Sequence, residues 1–279
     1  MTPLDGGRAL VLGGGGVTGV AWELGVLEGL RRAGTDLSTA DTVIGTSAGS
    51  VVGVRVTTGP VADAYADQLR PPDGELAAKL GPTTLIRLGV MLVRPGAEDA
   101  KWRKIGKASL AAHPESPAAR FDVIRARIGE PDWPDRDLRI TAVDTDRGEF
   151  VVFSSTSGVS VLEATAASCA VPLAWPPVPI GGTTYVDGGV RSAANADLAA
   201  GADVVVVLAP TTMAVSREQS LTRQLERTGA TRTLVISPDD EATAAMGTNA
   251  LDPARRRDAA ETGLRQGALV AARVAAVWG

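Results

Sequence analysis

Ser47 lies in Gly45-Thr46-Ser47-Ala48-Gly49, a serine whose small neighbours permit a sharp strand-to-helix turn that would expose its hydroxyl as a nucleophile. The same pentapeptide also fits an ordinary tight turn in a glycine-rich chain. A second run, Gly13-Gly14-Gly15-Gly16-Val17-Thr18-Gly19, offers consecutive unhindered backbone N–H groups, the arrangement that binds a phosphate or stabilises an oxyanion. It reads also as a ligand-free turn, although four glycines in a row lose much conformational entropy unless the backbone needs them. A hydroxyl nucleophile requires a base. His113 is the only histidine, and it sits in Ala111-Ala112-His113-Pro114-Glu115 with no strand before it, so it reads as a loop residue. Asp187, in Thr183-Thr184-Tyr185-Val186-Asp187-Gly188-Gly189-Val190, ends a short strand and is followed by two glycines. It reads either as a base presented at a strand end or as a simple Asp-Gly turn.

The elements that must position these residues follow from periodicity. Each glycine turn follows an apolar run (residues 8–12 and 42–44), and residues 20–32 between them carry Trp22, Val26, Leu27 and Leu30 at helical spacing. This is a βαβ unit, whose right-handed crossover puts both loops at the same carboxyl edge of a parallel sheet. The residues from Ser50 continue as a helix whose dipole favours negative charge developing near Ser47. Nucleotide binding fits less well. The pattern Gly14-Xaa-Gly16-Xaa-Xaa-Gly19 would need an acidic residue at the end of the second strand, where Gly45-Thr46-Ser47 stands instead. A phosphate loop would need a lysine after the glycines, and Gly19-Val20-Ala21 has none.

The motifs Gly14-Gly15-Gly16-Val17-Thr18-Gly19, Gly45-Thr46-Ser47-Ala48-Gly49 and Asp187-Gly188-Gly189, in that order, resemble those of the patatin-like phospholipases, a group of lipid acyl hydrolases. Ala166-Ala167-Ser168-Cys169-Ala170-Val171-Pro172 and Gly201-Ala202-Asp203-Val204-Val205-Val206-Val207 extend the resemblance, which covers residues 8–60 and 138–210 best. It implies a three-layer α/β fold with a mainly parallel central sheet and helices on both faces. It also implies a serine–aspartate dyad: Ser47 as nucleophile in the elbow Gly45, Thr46, Ala48, Gly49, and Asp187 as base in a loop with Gly188 and Gly189. The amides around Gly14, Gly15 and Gly16 would form the oxyanion hole, and no metal or organic cofactor is implied. The substrate would be a phospholipid, lysophospholipid or neutral acyl ester. Thr18 departs from the family, which usually carries arginine or lysine there. A neutral ester, lysolipid or acyl thioester therefore fits as well as an anionic phospholipid, and Thr18→Arg is expected to shift preference toward anionic lipids. The alternatives of other classes are a non-catalytic lipid- or acyl-binding protein on the same fold and, further off, a dinucleotide-binding oxidoreductase.

A chain of 279 residues is accommodated by one α/β domain. Residues at about 60–134 change character and read as a helical insertion or cap, with helical pieces at 61–69 and 121–128. In that insertion, residues 85–93 are apolar, and residues 100–107 alternate cations with Trp102 and Ile105, as a packed cap or an interfacial lipid contact would. Residues 138–143 and 149–154 read as a hairpin around Asp146-Arg147-Gly148, and 204–208 and 234–237 as buried strands. Asp252-Pro253 opens a terminal helix over 254–278, with Leu264, Val270, Val274 and Val277 available to pack and Arg255, Arg256 and Arg257 on a solvated face, where a dimer contact stays open. A net charge of −4 argues against a nucleic-acid partner, and the single cysteine, Cys169, against a disulfide or a cysteine metal cluster. It reads as a small buried residue. The start of the chain lacks a secretory pattern and its most apolar central stretch is too short to span a bilayer, so the expectation is a cytoplasmic protein with, at most, peripheral membrane contact and a homo-oligomer left open.

Overall fold

The computed structural model describes residues 3–72, 82–93, 96–113, 118–214 and 216–279. Eight strands form one mixed sheet: β1 (Arg8–Leu12), β2 (Thr42–Gly45), β3 (Asp137–Asp144), β4 (Glu149–Phe153), β5 (Val178–Ile180), β6 (Thr183–Asp187), β7 (Val204–Leu208) and β8 (Arg232–Ile236). Hydrogen-bonded neighbours follow the path β5-β6-β3-β2-β1-β7-β8, and β4 also pairs with β3. The pairs among β3, β2, β1, β7 and β8 are parallel, whereas β4 and β6 run antiparallel to β3, and β5 antiparallel to β6.

The central strands are apolar on both faces, so the sheet is covered twice. Leu10, Leu12, Val43, Val206 and Leu208 turn toward one core, which α1 (Gly16–Arg32), α2 (Ala48–Thr58), α7 (Val161–Ser168) and α10 (Arg256–Trp278) close. Ala9, Val11, Ile44, Val205 and Val207, one residue out of phase, face a second core under Leu198 and α8 (Leu221–Thr228). This is the three-layer α/β arrangement expected. Between α2 and β3 lie α3 (Val61–Gln68), α4 (Pro82–Val93), α5 (Glu98–Ala112) and α6 (Ala118–Ile128), and α9 (Asp240–Met246) follows β8. The expected insertion at 60–134 also contains residues outside those described.

The first helix starts at Gly16, four residues before the apolar period begins, because the glycine run itself turns into the helix with Gly16 at φ +63°. The terminal helix packs through Leu264, Val270, Val274 and Val277 as expected, and it also makes a closer contact. Its contact with α1 is made by glycines: a Cβ on Gly25 would lie 2.2 Å from the Ala260 carbonyl oxygen, and one on Gly263 2.4 Å from that of Trp22. The helix axes therefore approach more closely than valine or leucine would allow, and Trp22 Nε1 donates to Gln266 Oε1 across the seam at 2.9 Å. Arg256 and Arg257 are not simply solvated. Arg256 donates to Gln68 Oε1 (3.3 Å) and the Asp67 carbonyl (3.0 Å), and Arg257 to the Leu69 carbonyl, tying α10 to the end of α3.

One feature of β3 decides where the carboxylate arrives. Ile140 pairs with both Gly45 of β2 and Phe153 of β4, so β2 and β4 lie on opposite edges of β3. Ala142 pairs with both Val151 of β4 and Asp187 of β6, so β6 shares the edge of β2. Asp187 thus continues the line of β2, two β3 residues beyond Gly45.

Candidate active site

Ser47 caps α2 with φ 53° and ψ −114°, a conformation that strains a side-chain-bearing residue by roughly 1–3 kcal/mol. The surroundings enforce it. A Cβ on Gly49 would lie 2.0 Å from the Leu12 carbonyl oxygen, so only glycine lets the turn settle on β1. The Ser47 amide donates to Ser168 Oγ at 2.9 Å, and its carbonyl accepts from Ser50 Oγ (2.6 Å) and Cys169 Sγ (3.2 Å). Cys169 is buried, as expected, and it also holds the peptide group of Ser47. These three positioning side chains were not legible in isolation. The only signal was the pair Ser168-Cys169 interrupting an alanine-rich helix end.

The structure brings Asp187 to Ser47. The carboxylate is buried, accepts from the Gly189 amide at 2.7 Å, and lies close enough to the Ser47 hydroxyl for that group to oppose the rise of its pKa. Burial pushes its pKa up to about 6, against the opposing effects of the Ser47 and Gly189 hydrogen bonds and the charge of Arg120. Asp187 therefore does not close a hairpin turn. The chain after it forms a short 3-10 turn, Gly188–Val190, that Asp187 caps. Behind both loops stands Asn195, fully buried with φ 53°; its Nδ2 reaches the Ser192 carbonyl (2.8 Å), Thr46 Oγ1 (3.1 Å) and the Gly188 carbonyl (3.3 Å). One side chain thus ties the residue before Ser47 to the residue after Asp187.

The glycine loop is bonded to the elbow, as its place at the carboxyl edge requires: the Gly49 amide donates to the Gly13 carbonyl (3.0 Å) and the Thr46 amide to that of Leu12 (3.0 Å). Gly14 differs from expectation. Its amide donates to the Ala193 carbonyl at 2.7 Å, so it fixes the course of the loop instead of offering a donor. The amides of Gly15 and Gly16, and that of Ala48 at the start of α2, take no backbone acceptor among the described residues. Gly16, Ser47 and Ala48 line one pocket together with Arg120, Cys169 and Trp175.

Thr18 does not face that pocket. Its side chain is fully buried in α1, with Oγ1 unbonded among the described residues, and its amide donates to the Ala250 carbonyl at 3.1 Å. A longer cationic side chain would have to enter the core there, so the expected gain from Thr18→Arg is withdrawn. The charge beside Ser47 comes from the opposite wall. Arg120 of α6 is buried, donates to the Cys169 carbonyl at 3.1 Å, and stacks its guanidinium 4.5 Å from the centre of the Trp175 ring. His113 follows α5 and is not among the residues lining the Ser47 pocket. Among the described residues no cluster of histidine, cysteine or carboxylate side chains could hold a metal ion, and no helix is long and apolar enough to cross a membrane.

The site thus consists of a mixed, doubly covered α/β sheet with a strained serine at one strand end and a buried carboxylate at another. The patatin-like phospholipase family profile matches residues 10–200, and the chain belongs to that family of lipid acyl hydrolases. Among solved structures it is similar to VipD from Legionella pneumophila, with 12% identity and a TM-score of 0.46 over 98% of this chain and 67% of that one. It is similar also to the type III effector protein ExoU, with 14% identity and a TM-score of 0.35 over 96% of this chain and 54% of that one, so it spans about half of the latter's length. No curated protein sequence matches the chain.

Proposed function

We propose that this protein is a serine acyl hydrolase that cleaves fatty-acyl esters of lipids through Ser47 and Asp187. The observation that carries the reading is the buried Asp187 carboxylate set beside a serine held in a strained turn. Ser47 Oγ attacks the acyl carbonyl carbon as its proton passes to Asp187. The carbonyl becomes an oxyanion facing the amides of Gly15, Gly16 and Ala48, where each well-placed donor contributes about 3 kcal/mol. The intermediate collapses, the C–O bond to the alcohol breaks, and Asp187 returns the proton to the leaving oxygen. Water, deprotonated by the same carboxylate, then releases the fatty acid and restores Ser47. A carboxylate is a weak base for a hydroxyl, and the desolvation that raises Asp187 strengthens it.

The lipid contact fits the outer helices. Val90 of α4 and Leu110 of α5 are about half exposed (48% and 46%), and α5 carries Lys101, Lys104 and Lys107. Such a surface suits peripheral contact with an anionic bilayer.

The test is labelling with a fluorophosphonate followed by peptide mapping, alongside hydrolysis of short activated esters. Ser47 is the expected adduct; Ser47→Ala abolishes labelling and turnover, and His113→Ala retains most of both. A folded protein that resists the probe yet binds acyl ligands would favour the non-catalytic reading.

A further inference from the structure

The segment between α7 and β5 is tied to both Ser47 and Asp187. Cys169 Sγ donates to the Ser47 carbonyl at 3.2 Å, and the Asp187 amide donates to the Ala170 carbonyl at 3.0 Å. Further along it Leu173 holds φ +64°, a left-handed conformation that strains a residue with a side chain and persists only where the surroundings impose it. The turn closes at Trp175, whose amide donates to the Val171 carbonyl at 3.0 Å. The Trp175 indole then lines the Ser47 pocket, its face held by the Arg120 guanidinium 4.5 Å from the ring centre.

Trp175 Nε1 is buried and has no hydrogen-bond acceptor among the described residues. A buried N–H without an acceptor destabilises the fold, and a ring needed only for packing could be phenylalanine. A strained residue and an orphaned donor thus meet in one short segment at the wall of the nucleophile's pocket. An acceptor on a bound substrate would satisfy that donor. In the proposed mechanism the carbonyl oxygen faces the amides of Gly15, Gly16 and Ala48. Trp175 stands with Arg120 on the opposite wall, in the segment that also holds the Asp187 backbone. The ester oxygen left for that side is the one that departs with the alcohol.

We propose that Trp175 is a further catalytic residue, whose indole N–H donates a hydrogen bond to the leaving oxygen of the ester. The role rests on the acyl-hydrolase reading. As the C–O bond breaks, its electron pair moves onto that oxygen and Asp187 returns the proton taken from Ser47. The indole keeps its own proton and stabilises the charge while it develops. A bond that strengthens toward the transition state acts on kcat more than on KM. Sulfur accepts N–H bonds poorly, so the same donor separates oxygen esters from the acyl thioesters that the sequence leaves open.

The experiment measures kcat and KM of the wild type and two variants on phenyl butanoate and on its S-phenyl thioester. Trp175→Phe removes the donor and keeps an aromatic ring under Arg120. Replacement of Trp175 by benzothienylalanine also keeps the bicyclic shape, with sulfur in place of the N–H. Both variants are expected to lose about tenfold in kcat on the oxygen ester, with KM little changed, and about twofold or less on the thioester. Fluorophosphonate labelling of Ser47 is retained in both, so the loss is not one of folding. An equal loss on the two substrates in the shape-preserving variant, or no loss on either, overturns the proposal. A wild type that hydrolyses neither substrate would sink the hydrolase reading, and the donor role with it.

Discussion

Ser168 Oγ accepts the backbone amide of Ser47 at 2.9 Å, a buried hydrogen bond across 121 residues of sequence. It joins the end of α7 to the start of α2 at the one peptide whose dihedral angles the site needs to keep strained. Ser168→Ala leaves that amide buried without an acceptor, which destabilises by roughly 1–3 kcal/mol. The expected outcome is a lowered melting temperature and a kcat reduced at least tenfold with KM little changed. A Ser168→Ala protein with wild-type kcat would show that Ser47 keeps its conformation without this bond.

Asp187 makes activity and stability respond to pH in opposite senses. In the proposed mechanism Asp187 works ionised, so kcat/KM should climb about tenfold per unit up to an inflection at about 6 and then level off. The folded state holds this proton to higher pH than the unfolded chain, whose aspartate titrates near 3.8. Stability from this group is therefore highest in acid, falls between about 3.8 and about 6, and is constant above, a difference of about 3 kcal/mol. Asp187→Asn keeps an oxygen to accept from Ser47 and Gly189 while removing the charge. It should lose nearly all turnover and melt higher than wild type at pH 8; unchanged melting across pH 4–8 in both proteins would contradict the buried-carboxylate account.

Glu23 is a second buried acid, and catalysis gives it no part. Its side chain in α1 is fully buried, both oxygens lack a hydrogen-bond partner among the described residues, and burial pushes its pKa well above the usual carboxylate value. The nearby Gly13 amide offsets only part of this, since it donates to the Leu208 carbonyl at 2.9 Å. By the same linkage as for Asp187, Glu23 destabilises the folded state as pH rises above the ordinary glutamate range. Glu23→Gln should raise the melting temperature at pH 8 more than at pH 5. Equal shifts at the two pH values would count against a protonated Glu23.

At Gly25 the α1–α10 seam has no room for a side chain. A methyl group on Gly25 would meet the Ala260 carbonyl oxygen at 2.2 Å and the Leu264 nitrogen at 2.8 Å, both backbone atoms that cannot rotate away. Gly25→Ala should cost about 1–3 kcal/mol through overpacking, despite alanine's better helix propensity. Chemical denaturation checks the sign. A more stable variant would mean that the two helices separate freely.

Local residue types already determined much of this protein. The runs at Arg8–Leu12 and Thr42–Gly45 could only be buried strands, and the glycine-flanked Ser47 between strand and helix could only be a sharp turn, because both depend on sterics within a few residues. The three ordered motifs carried the family and with it the α/β fold. What tertiary structure decided lies where distant segments meet. Asp187 reads equally as a turn residue until β6 takes the edge of β3 beyond β2, a matter of register that no local pattern encodes. Ser168, Cys169 and Asn195 are unremarkable in sequence, since their role is to satisfy backbone and hydroxyl groups contributed by other elements. Gly14 looked like its neighbours, and only the position of the Ala193 carbonyl separates it from Gly15 and Gly16. Thr18 leaves its expected place for the same reason: which face of a helix meets the pocket and which meets the core is set by packing, so the buried threonine could not show that charge reaches the site from Arg120 of α6.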